Sequence, residues 1–151
     1  MRLEEEIATR KFTSNYHKAA VNVLYTYGWL TNLLRQRLDD HDITLQQYNV
    51  LRILRGQFPK PATVNLLRER MLDKMSDASR IVERLFKKGL LSRSANQQDR
   101  RAVDILITKK GLEILKKLDA EMDVDDVLSQ ELSAEEAGLL SDLLDRFRGS
   151  V

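Results

Sequence analysis

DKMSDASRIVERLFKKGLLSR, residues 73 to 93, is the stretch on which the fold of this chain turns. Ala78, Ile81, Val82 and Leu85 fall at i, i+3, i+4 and i+7, the spacing of a single buried stripe on a helix. Opposite that stripe lie Ser76, Arg80 and Lys87, flanked by Ser79, Glu83 and Arg84. Asp73 is placed to cap the helix and Gly89 to close it, which predicts a helix running to Lys88. An outward face that begins with two serines and an arginine suits a DNA major groove. The hydroxyls can bond to base edges or phosphates, and a guanidinium matches guanine O6 and N7 with two parallel bonds. Asp77, in the first turn, can accept from a cytosine amine, but a carboxylate there is also favoured by the helix dipole, and the dipole takes the larger share.

Just past Gly89 the apolar period shortens to that of strands. Leu90 to Ser94 reads as one strand and Ala102 to Ile107 as another, joined by the polar stretch from Ala95 to Arg101. Two strands alone are marginal in water, so this hairpin must rest on the helices or gain a partner. Its tip, Asn96-Gln97-Gln98-Asp99-Arg100-Arg101, ends in two arginines. One guanidinium can enter a narrow minor groove while the other meets a phosphate, with Asp99 fixing a rotamer. The plain alternative for Asp99 and an arginine is an exposed ion pair worth a few tenths of a kcal/mol.

Upstream, Thr63 can cap a short helix carrying Val64, Leu67 and Met71, after a loop punctuated by Pro59 and Pro61. Thr44 and Gln47 form a capping box for a helix with Leu45, Tyr48, Leu51 and Leu54 on one stripe and Gly56 as its stop. From Tyr16 to about Asp40 the apolar residues recur by threes and fours, a long amphipathic helix of ~37 Å at 1.5 Å per residue. That exceeds what one small core covers, so part of it is expected to pack on another chain. Downstream, Thr108 caps a helix to about Val127 bearing Leu112, Leu115, Leu118 and Met122, and Ser133 with Glu136 boxes a last helix ending near Gly149. The order is four helices, a hairpin and two helices: mainly α with a small β-hairpin wing.

The 151 residues suit one domain with a real core. There is no cysteine, which excludes disulfides, thiolate metal sites and thiol chemistry within the chain. No signal peptide or membrane span is legible, so the expected location is cytoplasmic. His17 and His41 are the two histidines and have no paired ligand motif, so no metal or cofactor is expected. Phosphate cradles, metalloprotease motifs and nucleophile triads are absent, which argues against an enzyme. Charge, in contrast, is segregated. Residues 68 to 101 hold ten basic and five acidic side chains, net +5, whereas residues 119 to 145 hold ten acidic and no basic ones, net −10. A basic middle suits a polyanion, and the acidic far end would be held away from it.

Together these parts resemble the MarR (multiple antibiotic resistance regulator) family from about residue 16 to 147. The resemblance is carried by ITLQQYNVLRIL at 43 to 54, DKMSDASRIVERLFKKGLLSR at 73 to 93, DRRAVDILIT at 99 to 108 and KKG at 109 to 111. It implies a single domain over 1–151, with a winged helix-turn-helix at 44–107 and dimerisation helices at 16–42 and 108–149. It also implies a homodimeric regulator, a repressor by expectation, on palindromic double-stranded operator DNA. Ser76, Ser79 and Arg80 match the recognition helix, and Asp77, Arg84 and Lys87 share its candidate DNA face. Arg101 matches the wing arginine that reaches the minor groove, with Asp99 as its buttress and Arg100 beside the backbone. Met71-Leu72-Asp73 stands where many members carry a glycine, which leaves the geometry of that turn open.

A small aromatic or phenolic effector is a further implication of the resemblance. Tyr25, Tyr27, Trp29 and Tyr48 are its candidate lining, with Arg52 or Arg55 as anion partner; packing in the core or a dimer seam is the competing use of the same aromatics. The alternative function is a winged-helix dimer serving as a protein-interaction module through its acidic C-terminal helices. Arg80, Arg84, Arg100 and Arg101 together favour DNA, since a module that had left DNA has no need for that cluster.

Overall fold

The computed structural model describes residues 2–9 and 11–149. The helices are α1 (Leu3–Glu6), α2 (Asn15–Leu38), α3 (Leu45–Gln57), α4 (Val64–Arg70) and α5 (Ala78–Lys87), followed by strands β1 (Leu91–Ala95) and β2 (Val103–Ile107) and helices α6 (Lys109–Glu121), α7 (Asp125–Leu128) and α8 (Ala134–Phe147). A 3₁₀ turn, Asp39–His41, follows α2. The chain forms two compact units, Met1–Lys117 and Leu118–Val151, with the boundary inside α6. None of the described helices is long and apolar enough to cross a membrane.

In the first unit the core is built from α3, α4, α5 and the hairpin. Val50, Leu51, Leu54, Leu67, Val82, Leu85, Leu91 and Ile105 are buried together. The caps that start these helices are local. Thr44 Oγ1 accepts from the Gln47 N–H at 3.1 Å and Gln47 Oε1 accepts from the Thr44 N–H at 3.2 Å, the expected capping box. Thr63 caps α4 through the Leu66 N–H. The helix α3 continues through Gly56 to Gln57, one residue past the expected stop, a displacement within ordinary end fraying.

Strands β1 and β2 pair antiparallel, Leu91 opposite Ile107 and Ala95 opposite Val103. The hairpin does rest on the helical body. Ala62, just before α4, donates to the Ile105 carbonyl at 2.9 Å and accepts from the Ile105 N–H at 2.8 Å. Where β2 turns into α6, Thr108 Oγ1 accepts from the Gly111 N–H and donates to the Gly89 carbonyl. A Cβ on Gly111 would lie 2.3 Å from the Leu90 carbonyl oxygen and 2.7 Å from Ile107 Cγ1, so the glycine of KKG is required by contact rather than by backbone angle.

Two elements differ from the sequence reading. The short α1 was not expected; it is held by the burial of Leu3, the Lys18–Glu4 ion pair and the Tyr25 hydroxyl donating to Glu6 at 2.8 Å. The helix after Thr108 stops at Glu121 rather than near Val127, and Asp123 accepts the Asp125 N–H to start α7. In the second unit the Ser133–Glu136 capping box opens α8 as expected.

Candidate nucleic-acid interface

The basic face is centred on α5. Ala78, Val82 and Leu85 are buried, while Ser79, Arg80, Arg84 and Lys87 are exposed. The C-terminal end is closed by Gly89 at φ +71°, with its N–H bonded to the Phe86 carbonyl and that of Leu90 to the Leu85 carbonyl, a Schellman closure. Lys88 then ties this end to the start of α3, pairing with Asp42 at 3.2 Å and reaching Gln47 Oε1 at 3.5 Å.

The N-terminal end corrects the sequence reading. The capping residue is Asp77, whose carboxylate accepts the Arg80 N–H at 3.1 Å, so the helix begins at Ala78 and not after Asp73. Asp73 instead organises the turn before it: its carboxylate accepts from the Ser76 hydroxyl at 2.8 Å and the Met75 N–H at 3.0 Å. Those bonds, the Ser76 hydroxyl foremost, hold the Asp73 carboxyl below the usual carboxylate range, and Gln46 of α3 contributes as well. Asn49, one helical turn further along α3, accepts the Leu72 N–H at 3.0 Å. Two side chains of α3 thus support the turn that lacks a glycine. Ser76 lies ahead of the helix, in a groove of about 280 Å³ that it lines with Thr44, Gln46, Asp77, Arg80 and Arg84.

On the α5 side of the wing, Glu83 accepts Arg93 at 2.7 Å and stands 3.6 Å from Lys87. Arg80 keeps a loose 4.0 Å approach to Asp77 and most of its side chain is in solvent. At the wing tip Arg100 and Arg101 are exposed. Asn96 Oδ1 accepts the N–H groups of Gln98 and Asp99, and Asp99 Oδ1 accepts the Arg101 N–H at 2.9 Å. Asp99 therefore shapes the backbone that carries Arg101 rather than gripping its guanidinium.

The candidate effector residues are not gathered in one place. Tyr25 and Trp29 share a face of α2 and line an open cleft of about 280 Å³ with Leu3, Glu6, Asn22 and Thr26. The charged group in that cleft is a carboxylate, and its bond to Tyr25 raises the pKa of the phenol. Tyr27 is exposed on α2 and is not among the lining residues. Tyr48 is buried on α3 with the Arg52 guanidinium 5.9 Å from its ring centre.

Residues 43–103, from the start of α3 to the wing, match the family model described as MarR family. Solved structures extend the match in fold beyond the segment. A MarR transcription factor from Planctomyces limnophilus aligns with 25% identity and a TM-score of 0.65 over 91% of this chain and 98% of its own. A variant of MarR from E. coli, solved with operator DNA, aligns with 24% identity and a TM-score of 0.75 over 97% and 98%. BpsR from Bordetella bronchiseptica, described with regulation of its DNA binding by 6-hydroxynicotinic acid, aligns with 20% identity and a TM-score of 0.72 over 85% and 91%. No curated protein matches the chain by sequence. The matched segment takes in α3, α4, α5 and the hairpin as far as the start of β2.

Proposed function

We propose that this chain is a sequence-specific DNA-binding transcription regulator that works as a homodimer, represses from a palindromic operator and is released by a small aromatic ligand. The observation that carries the reading is the exposed set Ser79, Arg80, Arg84 and Lys87 on α5, joined by Arg100 and Arg101 on the wing. A helix face of hydroxyls and guanidinium groups reads base edges, and an exposed basic tip can follow backbone and minor groove. The operator complex of the E. coli relative supports the same use of this fold.

Dimerisation is supported by apolar surface that the single chain leaves in water. On α2, Tyr16, Leu24 and Tyr27 are exposed, and Leu38 is its one fully buried side chain. On α8, Leu139, Leu140, Leu143 and Phe147 are exposed, with no residue of that helix buried. Stripes of this kind cover one another in a two-fold pair, which would set two recognition helices about one DNA turn apart. For the ligand, the aromatic walls of Tyr25 and Trp29 are the proposed contact, in keeping with the nicotinate derivative named for BpsR.

The test is retention of fragments of the protein's own promoter region at two salt concentrations against a scrambled duplex. Specific retention of a fragment with an inverted repeat, weakening steeply as salt rises, is expected from several phosphate contacts per protomer. Equal retention of the scramble would remove the regulator reading in favour of a protein-interaction module.

A further inference from the structure

The turn leading into α5 carries two large apolar side chains that the described chain does not cover. Leu72 is 85% exposed and Met75 is 93% exposed. The backbone beneath them is firmly held. Asn49 takes the Leu72 N–H, Asp73 takes the Met75 N–H and the Ser76 hydroxyl, and the Lys74 ammonium donates to the Glu69 carbonyl at 2.6 Å. A segment fixed at four points that still displays a thioether and an isobutyl group to solvent is built to present them.

The charge around the turn selects the occupant. Lys74 lies between the two apolar residues in sequence, and Arg80 and Arg84 follow on the exposed face of the helix that Met75 leads into. An apolar protein surface would have to desolvate those cations, whereas duplex DNA neutralises them and also offers an apolar group, the C5-methyl of thymine, in the major groove. Methionine is unbranched and polarisable and adapts to such a contact. We propose that Met75, with Leu72 on the same turn, reads thymine methyl groups at the edge of the site entered by α5. This rests on the DNA-binding reading and adds an apolar specificity determinant to a face otherwise read through hydrogen bonds.

Duplexes enriched by the wild-type protein from a random-sequence library supply the probe. Each thymine is replaced in turn by deoxyuridine, which lacks the methyl and keeps the hydrogen-bonding groups. At one or two thymines per half-site, wild-type affinity should fall about fourfold per methyl, the equivalent of roughly 0.8 kcal/mol for a group of that size. Met75→Ser should bind the thymine duplex more weakly by a similar factor and no longer distinguish it from the deoxyuridine duplex at the same positions. Its thermal midpoint should match wild type, because the side chain it alters is already in solvent. Unchanged sensitivity to deoxyuridine in Met75→Ser and Leu72→Ser, or no sensitive thymine with wild type, would overturn the proposal while the DNA-binding reading stands. Failure of wild type to enrich any duplex would remove both.

Discussion

The guanidinium carbon of Arg93 lies 3.9 Å from the centre of the Phe86 ring. The same guanidinium reaches Glu83 at 2.7 Å, so one side chain of β1 is held by two residues of α5 spaced almost one turn apart. The hairpin and α5 are thereby joined on the solvent side as well as through the core. Arg93→Ala should cost about 1 kcal/mol, from a cation–π contact and a partly exposed ion pair. That corresponds to a fall of roughly 2–4 °C in Tm for a chain of this size, read by circular dichroism. Arg93→Lys should recover only part of it, because an ammonium cannot stack and pair at once; full recovery by lysine would mean that charge alone matters.

Gly111 has no room for a side chain. With the Leu90 carbonyl oxygen at 2.3 Å from an added Cβ, Gly111→Ala forces α6 away from the end of the wing. We expect a loss of about 1–3 kcal/mol in urea unfolding, the range for overpacking. A change under about 0.5 kcal/mol, the scatter of neutral surface substitutions, would show that α6 can shift freely at this end.

The Asp73 turn should depend on pH with a definite sign. Its carboxyl is held below the usual range, chiefly by the Ser76 hydroxyl. A folded-state pKa below the unfolded value gives stabilisation that is present above about pH 4 and lost as pH falls through the lowered folded value. Ser76→Ala should move the Asp73 carboxyl back up toward its ordinary value in an NMR titration. An unmoved titration would assign the effect to the Met75 N–H instead.

Arg101→Ala should weaken binding to the enriched duplex by about tenfold, and the dimer should remain folded by sedimentation and melting. The loss is expected to be larger for sites flanked by a narrow A·T minor groove. Equal affinity of variant and wild type would take the wing tip out of DNA recognition.

Much of this molecule was legible because it is written in short-range chemistry. The capping boxes at Thr44–Gln47 and Ser133–Glu136 depend on residues three apart, and both form. The buried stripe of α5 and the change of period after Gly89 follow from side-chain spacing alone. Misreadings arose where distant segments decide. Asp73 and Asp77 are both plausible caps by type; Asn49 and Gln46, more than twenty residues earlier, hold the chain at 72–73 in a turn, which leaves the capping role to Asp77. The four residues of α1 lack any periodic signal, and they are placed by Lys18 and Tyr25 of α2. The aromatic residues of the effector reading were grouped by kind, whereas the fold puts Tyr48 in the core and Tyr25 and Trp29 at an open cleft.

The paired hydrogen bonds between Ala62 and Ile105 have a mechanical consequence for the wing. They give the hairpin a third edge at its base, two residues from the end of β2, so the strands are anchored from there to Ile107. The polar stretch between Ala95 and Val103 is tied within the hairpin itself, by Asn96 and Asp99 to near neighbours and by Asn96 across to Ala102 and Asp104. Arg100 and Arg101 thus sit beyond the anchored base of the hairpin, on a tip whose shape is set by its own side chains and not by the helical body.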